Sequence, residues 1–84
     1  MVRHKIKDEN MSEQELFAVV GLPHIGPMLG KNLLKHFETV RAVFASSREE
    51  LMKVKGIGPQ IAEDVMKILD TPYEDYSENA AEGI

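Results

Sequence analysis

The chain repeats itself at a fixed interval. Moving the second half back by 32 positions lays Val54 on Leu22, Ile57 on Ile25, Gly58 on Gly26, Pro59 on Pro27, Ile61 on Leu29, Ala62 on Gly30, Val65 on Leu33 and Lys67 on Lys35. In each copy an apolar turn of helix meets a glycine-proline break and then a second apolar helix, so each copy predicts an αα-hairpin. The matched small residues Gly30 and Ala62 imply close helix pairing, because a larger side chain there would hold the helices apart. Retaining glycine at such a site is notable, since it costs a helix about 1 kcal/mol relative to alanine.

The helices can be placed from their ends. Ser12 with Glu15 three residues later has the spacing of a capping box, and Leu16, Phe17, Val19 and Val20 then form a short apolar helix that stops at Gly21. Pro27 suits a first helical position, and Leu29, Leu33 and Phe37 follow at helical spacing with Leu34 beside them, which predicts a helix over 27–37. Thr39 caps a short helix carrying Val40, Val43 and Phe44, and Ser46 or Ser47 caps another over 48–54. The last helix starts at Pro59, carries Ile61, Val65 and Ile68, and ends near Asp70, because Pro72 disfavours helix at Thr71. No segment alternates with period two between turn residues. The expected fold is all-α, five short helices forming two hairpins joined by a connector helix, over residues 12–71. A flexible segment of residues 1–11 and a flexible acidic tail of residues 72–84 flank it.

With 84 residues, one small domain of modest stability is expected, and dimer formation would help it. The absence of cysteine removes disulfides, thiolate metal sites and thiol nucleophiles. The net charge of −4 argues against nucleic acid at first sight. Its distribution argues less strongly: residues 12–70 carry seven Lys or Arg against eight acids, while Glu74, Asp75, Glu78 and Glu82 make the last fourteen residues purely acidic. No apolar stretch approaches the ~20 residues that cross a bilayer. The charged opening Met1-Val2-Arg3-His4-Lys5 also lacks the apolar run of a signal peptide. A cytoplasmic location in a prokaryote, and no membrane partner, are expected.

The turn Gly56-Ile57-Gly58-Pro59 has the strongest chemical content. Two glycines around an aliphatic residue leave backbone N–H groups free to face outward, and the helix that follows adds its positive end, a combination suited to phosphate. The run Leu51-Met52-Lys53-Val54-Lys55-Gly56-Ile57-Gly58-Pro59-Gln60-Ile61-Ala62 resembles the helix-hairpin-helix motif. Two such copies with a connector resemble the tandem helix-hairpin-helix domain of DNA repair proteins. The linker from His36 to Val40 and from Phe44 to Leu51 looks like the domain that ends UvrC and the XPF/Hef structure-specific nucleases, and Asp70-Thr71-Pro72-Tyr73 resembles the archaeal XPF/Hef ending. The resemblance covers residues 14–73.

The resemblance implies a DNA-binding module that grips phosphates of duplex or branched DNA without reading bases. The implied contacts are Ile25, Gly26, Met28, Lys31 and Lys35 in the first copy and Gly56, Ile57, Gly58 and Gln60 in the second. Two departures bear on this. His24 stands where the motif has its leading glycine, so the first turn is expected to differ in backbone; and Gln60, Glu63 and Asp64 open the last helix where DNA-binding members often carry Lys or Arg. Lys31 and Lys35, one turn apart, suit adjacent phosphates, although the same pair also fits a solvated helix face.

The resemblance also implies dimerisation with a like domain, as a homodimer or heterodimer. An acidic chain with altered hairpin chemistry fits an alternative role as an interaction module of a repair nuclease. Phe17 and Tyr73 are the candidates for that exposed apolar interface, whereas Phe37, Phe44 and the methionines are expected to fill the core. His4, His24 and His36 share no metal-ligand spacing, so no metal or other cofactor is implied. No nucleophile, base or paired acids form a catalytic constellation, and the nuclease domain of the resembled proteins lies outside this sequence; a non-enzymatic module is expected.

Overall fold

A computed structural model describes residues 9–75. The described residues contain five helices and no strand: α1 Glu9–Val20, α2 Pro27–Phe37, α3 Val40–Phe44, α4 Arg48–Met52 and α5 Pro59–Asp70. α1 packs on α2 as one hairpin and α4 on α5 as the other, with α3 between them against α1 and α2. The segment 1–8 and the tail beyond 75 lie outside the described residues, so the expected flexibility of those parts does too.

Local sequence chemistry accounts for most boundaries. The Thr39 side chain accepts from the Ala42 N–H at 3.0 Å, and Ser47 forms a reciprocal capping box with Glu50 at 3.1 and 2.8 Å. The expected cap at Ser12 is corrected. Ser12 lies inside α1, because Glu9, Asn10 and Met11 include neither glycine nor proline and the helix extends through them. At its other end α2 closes on Glu38, a non-glycine residue in the left-handed region (φ 77°) whose N–H donates to the Leu34 carbonyl at 2.7 Å. α4 ends at Met52, two residues short of expectation, and tightens into the turn through Lys53 and Val54.

Both hairpins feed one core. Val19, Leu22, Ile25, Leu33 and Val43 from the first half bury together with Leu51, Val54, Ile57, Ala62 and Val65 from the second. A side chain such as Leu33, fully buried, contributes about 2–3 kcal/mol by leaving water. The role expected of Gly30 holds: a Cβ there would stand 2.9 Å from Leu16 Cδ1, 3.1 Å from Val20 Cγ1 and 3.2 Å from Val19 Cγ2. Ala62, its counterpart on α5, is fully buried in the same core.

Three core expectations are corrected. Phe44 is 40% exposed, because α3 spans five residues and Val43 takes its one inward position. Ile68 is exposed, since the buried stripe of α5 runs through Ala62 and Val65 and turns past it. Met52 and Met66 pack on the core as expected, but Met11 and Met28 are exposed.

Candidate nucleic-acid interface

The two turns have the same backbone. In the first, Leu22 N–H donates to Val19 O at 3.1 Å and Ile25 N–H to Leu22 O at 3.2 Å; in the second, Val54 donates to Leu51 at 3.0 Å and Ile57 to Val54 at 3.1 Å. Each turn passes through one left-handed residue, His24 (φ 66°) or Gly56 (φ 94°), and enters its second helix through a glycine of nearly identical geometry. Gly26 has φ −92° and ψ −171°, Gly58 φ −93° and ψ −175°. The expectation that His24 gives the first turn a different backbone is therefore corrected. A left-handed histidine is uncommon but attainable, and the surrounding core fixes Leu22 and Ile25 on either side of it.

The glycines divide into two kinds. Gly56 serves the fold: its φ is unfavourable for any L-residue, and a Cβ there would lie 2.6 Å from Leu29 Cδ2 on α2. Gly26 and Gly58 do not. Their φ angles suit any residue, and an added Cβ would meet nothing within 4 Å. Neither α2 nor α5 has a side-chain cap at its N-terminus, so the positive ends of both helices open onto this empty space.

Other candidate residues fall into place around these ends. Ile25 and Ile57 are buried, and their N–H groups are engaged within the turns, so they shape the loop while Gly26 and Gly58 face outward. Met28 is 76% exposed at the start of α2, where it lines a shallow depression of about 390 Å³ with Pro27, Lys31, Asn32 and Lys35. Lys31 and Lys35 also border a groove of about 450 Å³ on their other side, which Glu13, Glu15 and Glu38 share. The two lysines thus border both depressions.

The hairpins are tied to each other by reciprocal polar contacts that are invisible in local sequence. Asn32 on α2 donates from Nδ2 to the Lys55 carbonyl of the second turn at 3.3 Å. Its counterpart in the repeat, Asp64 on α5, reaches the first turn, where Oδ2 lies 2.7 Å from His24 Nε2. Gln60 donates from Nε2 to Asp64 Oδ1 at 3.0 Å, so its side chain is held within the protein. The hydrogen bond to His24, then that to Gln60, with the positive charge of Lys67 nearby, keeps the Asp64 carboxyl below the usual carboxylate range against the opposing effect of desolvation. Asp64 follows the second turn in sequence, but the fold directs its carboxylate to the first. The offset of 32 pairs Asn32 with Asp64, and that correspondence is the sequence signal that could have disclosed the reciprocity.

The interface candidates stand apart from this surface in different ways. Phe17 is 76% exposed and lines an apolar hollow of about 300 Å³ with Glu13, Leu16, Val20 and Pro27. Tyr73 is 86% exposed beyond the end of α5 and does not line that hollow. Among the described residues, no group of three or more His, Asp or Glu could hold a metal ion, and no helix is long and apolar enough to cross a membrane.

Known proteins share this arrangement. Residues 15–75 match the family described as the helix-hairpin-helix motif. A Methanocaldococcus jannaschii protein named as an ATP-dependent RNA helicase is 43% identical over 74 residues, which is 88% of this chain and 10% of that protein. The 3′-flap repair endonuclease Xpf of Saccharolobus solfataricus is 36% identical over 72 residues, covering 86% of this chain and 30% of the relative. The UvrABC system protein C of Acinetobacter baylyi is 33% identical over 69 residues, 82% of this chain and 11% of that one. The chain therefore spans less than a third of the length of each of these relatives.

Among solved structures, XPF from Aeropyrum pernix superposes with a TM-score of 0.74 at 34% identity, over 80% of this chain and 34% of that one. The same protein in complex with DNA gives 0.72 at 35% identity, over 82% and 34%. With paired turns of one geometry, a match across most of its length and relatives of this kind, the chain belongs to the helix-hairpin-helix family.

Proposed function

We propose that this domain binds the phosphate backbone of duplex or branched DNA through its two turns, without sequence preference, as the DNA-holding part of a repair or recombination protein. The observation that carries this reading is the pair Gly26 and Gly58. Neither is required by backbone angle or by packing, yet both stand at the open N-terminus of a helix of eleven or twelve residues, where an incoming phosphate gains from the absence of a side chain. Lys31 and Lys35 add positive charge on the adjoining face of α2, and Asn32 links that helix to the second turn. Met28 and Gln60 contribute backbone N–H groups in the first turn of each helix.

The relatives named above support the reading, one of them solved with DNA. The domain itself carries no chemistry in this reading. It acts in the cytoplasm of a prokaryotic cell, where its DNA substrate lies. Such contacts position a protein and leave base identity unread. Engagement of about two to four phosphates gives log affinity a slope of roughly −2 to −4 against log salt.

Gly26→Asp and Gly58→Asp test this directly. Aspartate is a good N-cap and complements the helix dipole, so thermal stability should hold or rise. Its carboxylate would occupy the phosphate position, so affinity for a fluorescent duplex should fall. If both variants bind as the unaltered chain does, or if the salt slope is near zero, the reading is wrong.

A second reading rests on Phe17, whose exposed ring adjoins an apolar hollow and suits pairing with another helix-hairpin-helix domain. Sedimentation of the chain and of its Phe17→Ala form separates the readings. A dimer that dissociates on this change and ignores DNA supports the second.

A further inference from the structure

His24 is the point at which the two turns differ. It holds a left-handed conformation that Gly56 adopts freely, and its ring reaches across to α5, where Nε2 meets Asp64 Oδ2 at 2.7 Å. His24 lies two residues before Gly26, and the pair stays accessible, with the His24 side chain 50% and the Asp64 side chain 26% exposed. Asp64 is thus the acid that an incoming phosphate at the first turn would meet. Its other oxygen is held by Gln60, so both carboxylate oxygens are engaged within the protein.

We propose that His24 is a positioning residue for phosphate binding at the first turn, where it engages the Asp64 carboxylate and keeps it from opposing the phosphate at Gly26. This rests on the DNA-binding reading above. A glycine at this position would serve the backbone better, as it does in the second turn, but it would leave Asp64 Oδ2 without its hydrogen-bond partner at the first turn. In the second turn no such group is needed, because Asn32, which takes the place of Asp64 in the repeat, is uncharged. The histidine and the aspartate therefore belong together, just as the glycine and the asparagine do.

The full chain, with His24→Gly, Asp64→Asn and the double change, is titrated against a fluorescein-labelled duplex at low salt, with thermal unfolding measured in parallel. Without the imidazole, Asp64 Oδ2 loses the hydrogen bond that holds it and is free to face a phosphate at the first turn, which predicts that His24→Gly binds roughly three- to tenfold more weakly. Its melting temperature should be unchanged or higher, which a purely structural role for the histidine would not give. Asp64→Asn removes the charge that needs compensating, so the double variant should bind within about twofold of Asp64→Asn.

The inference is overturned if His24→Gly binds as the unaltered chain does, or if the double variant stays as weak as His24→Gly. Failure of the unaltered chain to bind any duplex would overturn the DNA-binding reading itself, and is read from that one curve without the variants.

Discussion

Replacing Gly56 by alanine probes how the second turn is built. Its φ of 94° costs an L-residue about 1–2 kcal/mol, because Cβ crowds the backbone in the left-handed region. The new Cβ would also stand 2.6 Å from Leu29 Cδ2. Leu29 is only partly buried, and its terminal methyl can swing away, at about 0.5–1.5 kcal/mol for an off-rotamer side chain. Reduced freedom of the unfolded chain offsets about 0.4–1 kcal/mol of this. The net loss is roughly 0.5–3 kcal/mol. At about 4–8 °C per kcal/mol for a domain of this size, the melting temperature should drop by at least ~2 °C, and by ~10 °C at the middle of the range, followed by circular dichroism in the helical band.

Two companions locate the cause. Gly56→Ala with Leu29→Ala should show a non-additive gain from relief of the contact, and His24→Gly, which places glycine at the equivalent left-handed residue, should not destabilise. A Gly56→Ala protein that melts within 1–2 °C of the unaltered chain would show that the turn does not depend on this backbone conformation.

Three further outcomes are expected. Glu38→Gly should raise stability by about 0.5–1 kcal/mol, measured by denaturant unfolding, because it removes a left-handed residue with a Cβ from the end of α2. Ser47→Ala should lower stability by about 1 kcal/mol through loss of the capping box, and should leave the amide shifts around Gly26 and Gly58 unchanged. The Asp64 carboxyl is held below its unfolded value, so its contribution is present above the usual carboxylate range and is lost as pH falls through the lowered value. Carbon-detected titration should find its midpoint below that of an unpaired aspartate, and His24→Gly should move it up.

The repeat carried most of what the sequence could disclose. Offset positions such as Gly58 and Gly26, or Ala62 and Gly30, placed both turns and both close helix contacts, because those requirements are local or act at helical spacing. Ser47 and Thr39 likewise marked helix starts through side chains that bond to their own backbone. Ser12 carried the same signal without the same outcome, since a capping pattern inside a run of helix-compatible residues does not itself stop the helix upstream.

Contacts between the hairpins were not legible. His24 meets Asp64 across 40 residues of chain and Asn32 meets Lys55 across 23, and no local propensity or helical periodicity encodes such meetings; the pairing of Asn32 with Asp64 at the offset of 32 is their one trace in the sequence. Reading His24 from its type alone suggested an altered turn. The neighbouring buried residues Leu22 and Ile25 decided otherwise. The candidate glycines likewise differ in surroundings that sequence does not show: a Cβ at Gly56 would meet Leu29, whereas one at Gly26 or Gly58 would meet nothing within 4 Å.

The reciprocal ties and the shared core have a consequence for how the protein comes apart. Neither hairpin holds enough of the core to stand alone, since Leu33 and Val43 lie in one cluster with Leu51 and Val65. The two halves should therefore lose their structure in a single step, with amide hydrogens of α2 and α5 exchanging at rates set by the same global opening. The repeat thus works as one unit rather than two, and a phosphate held at either turn would be expected to slow hydrogen exchange in both.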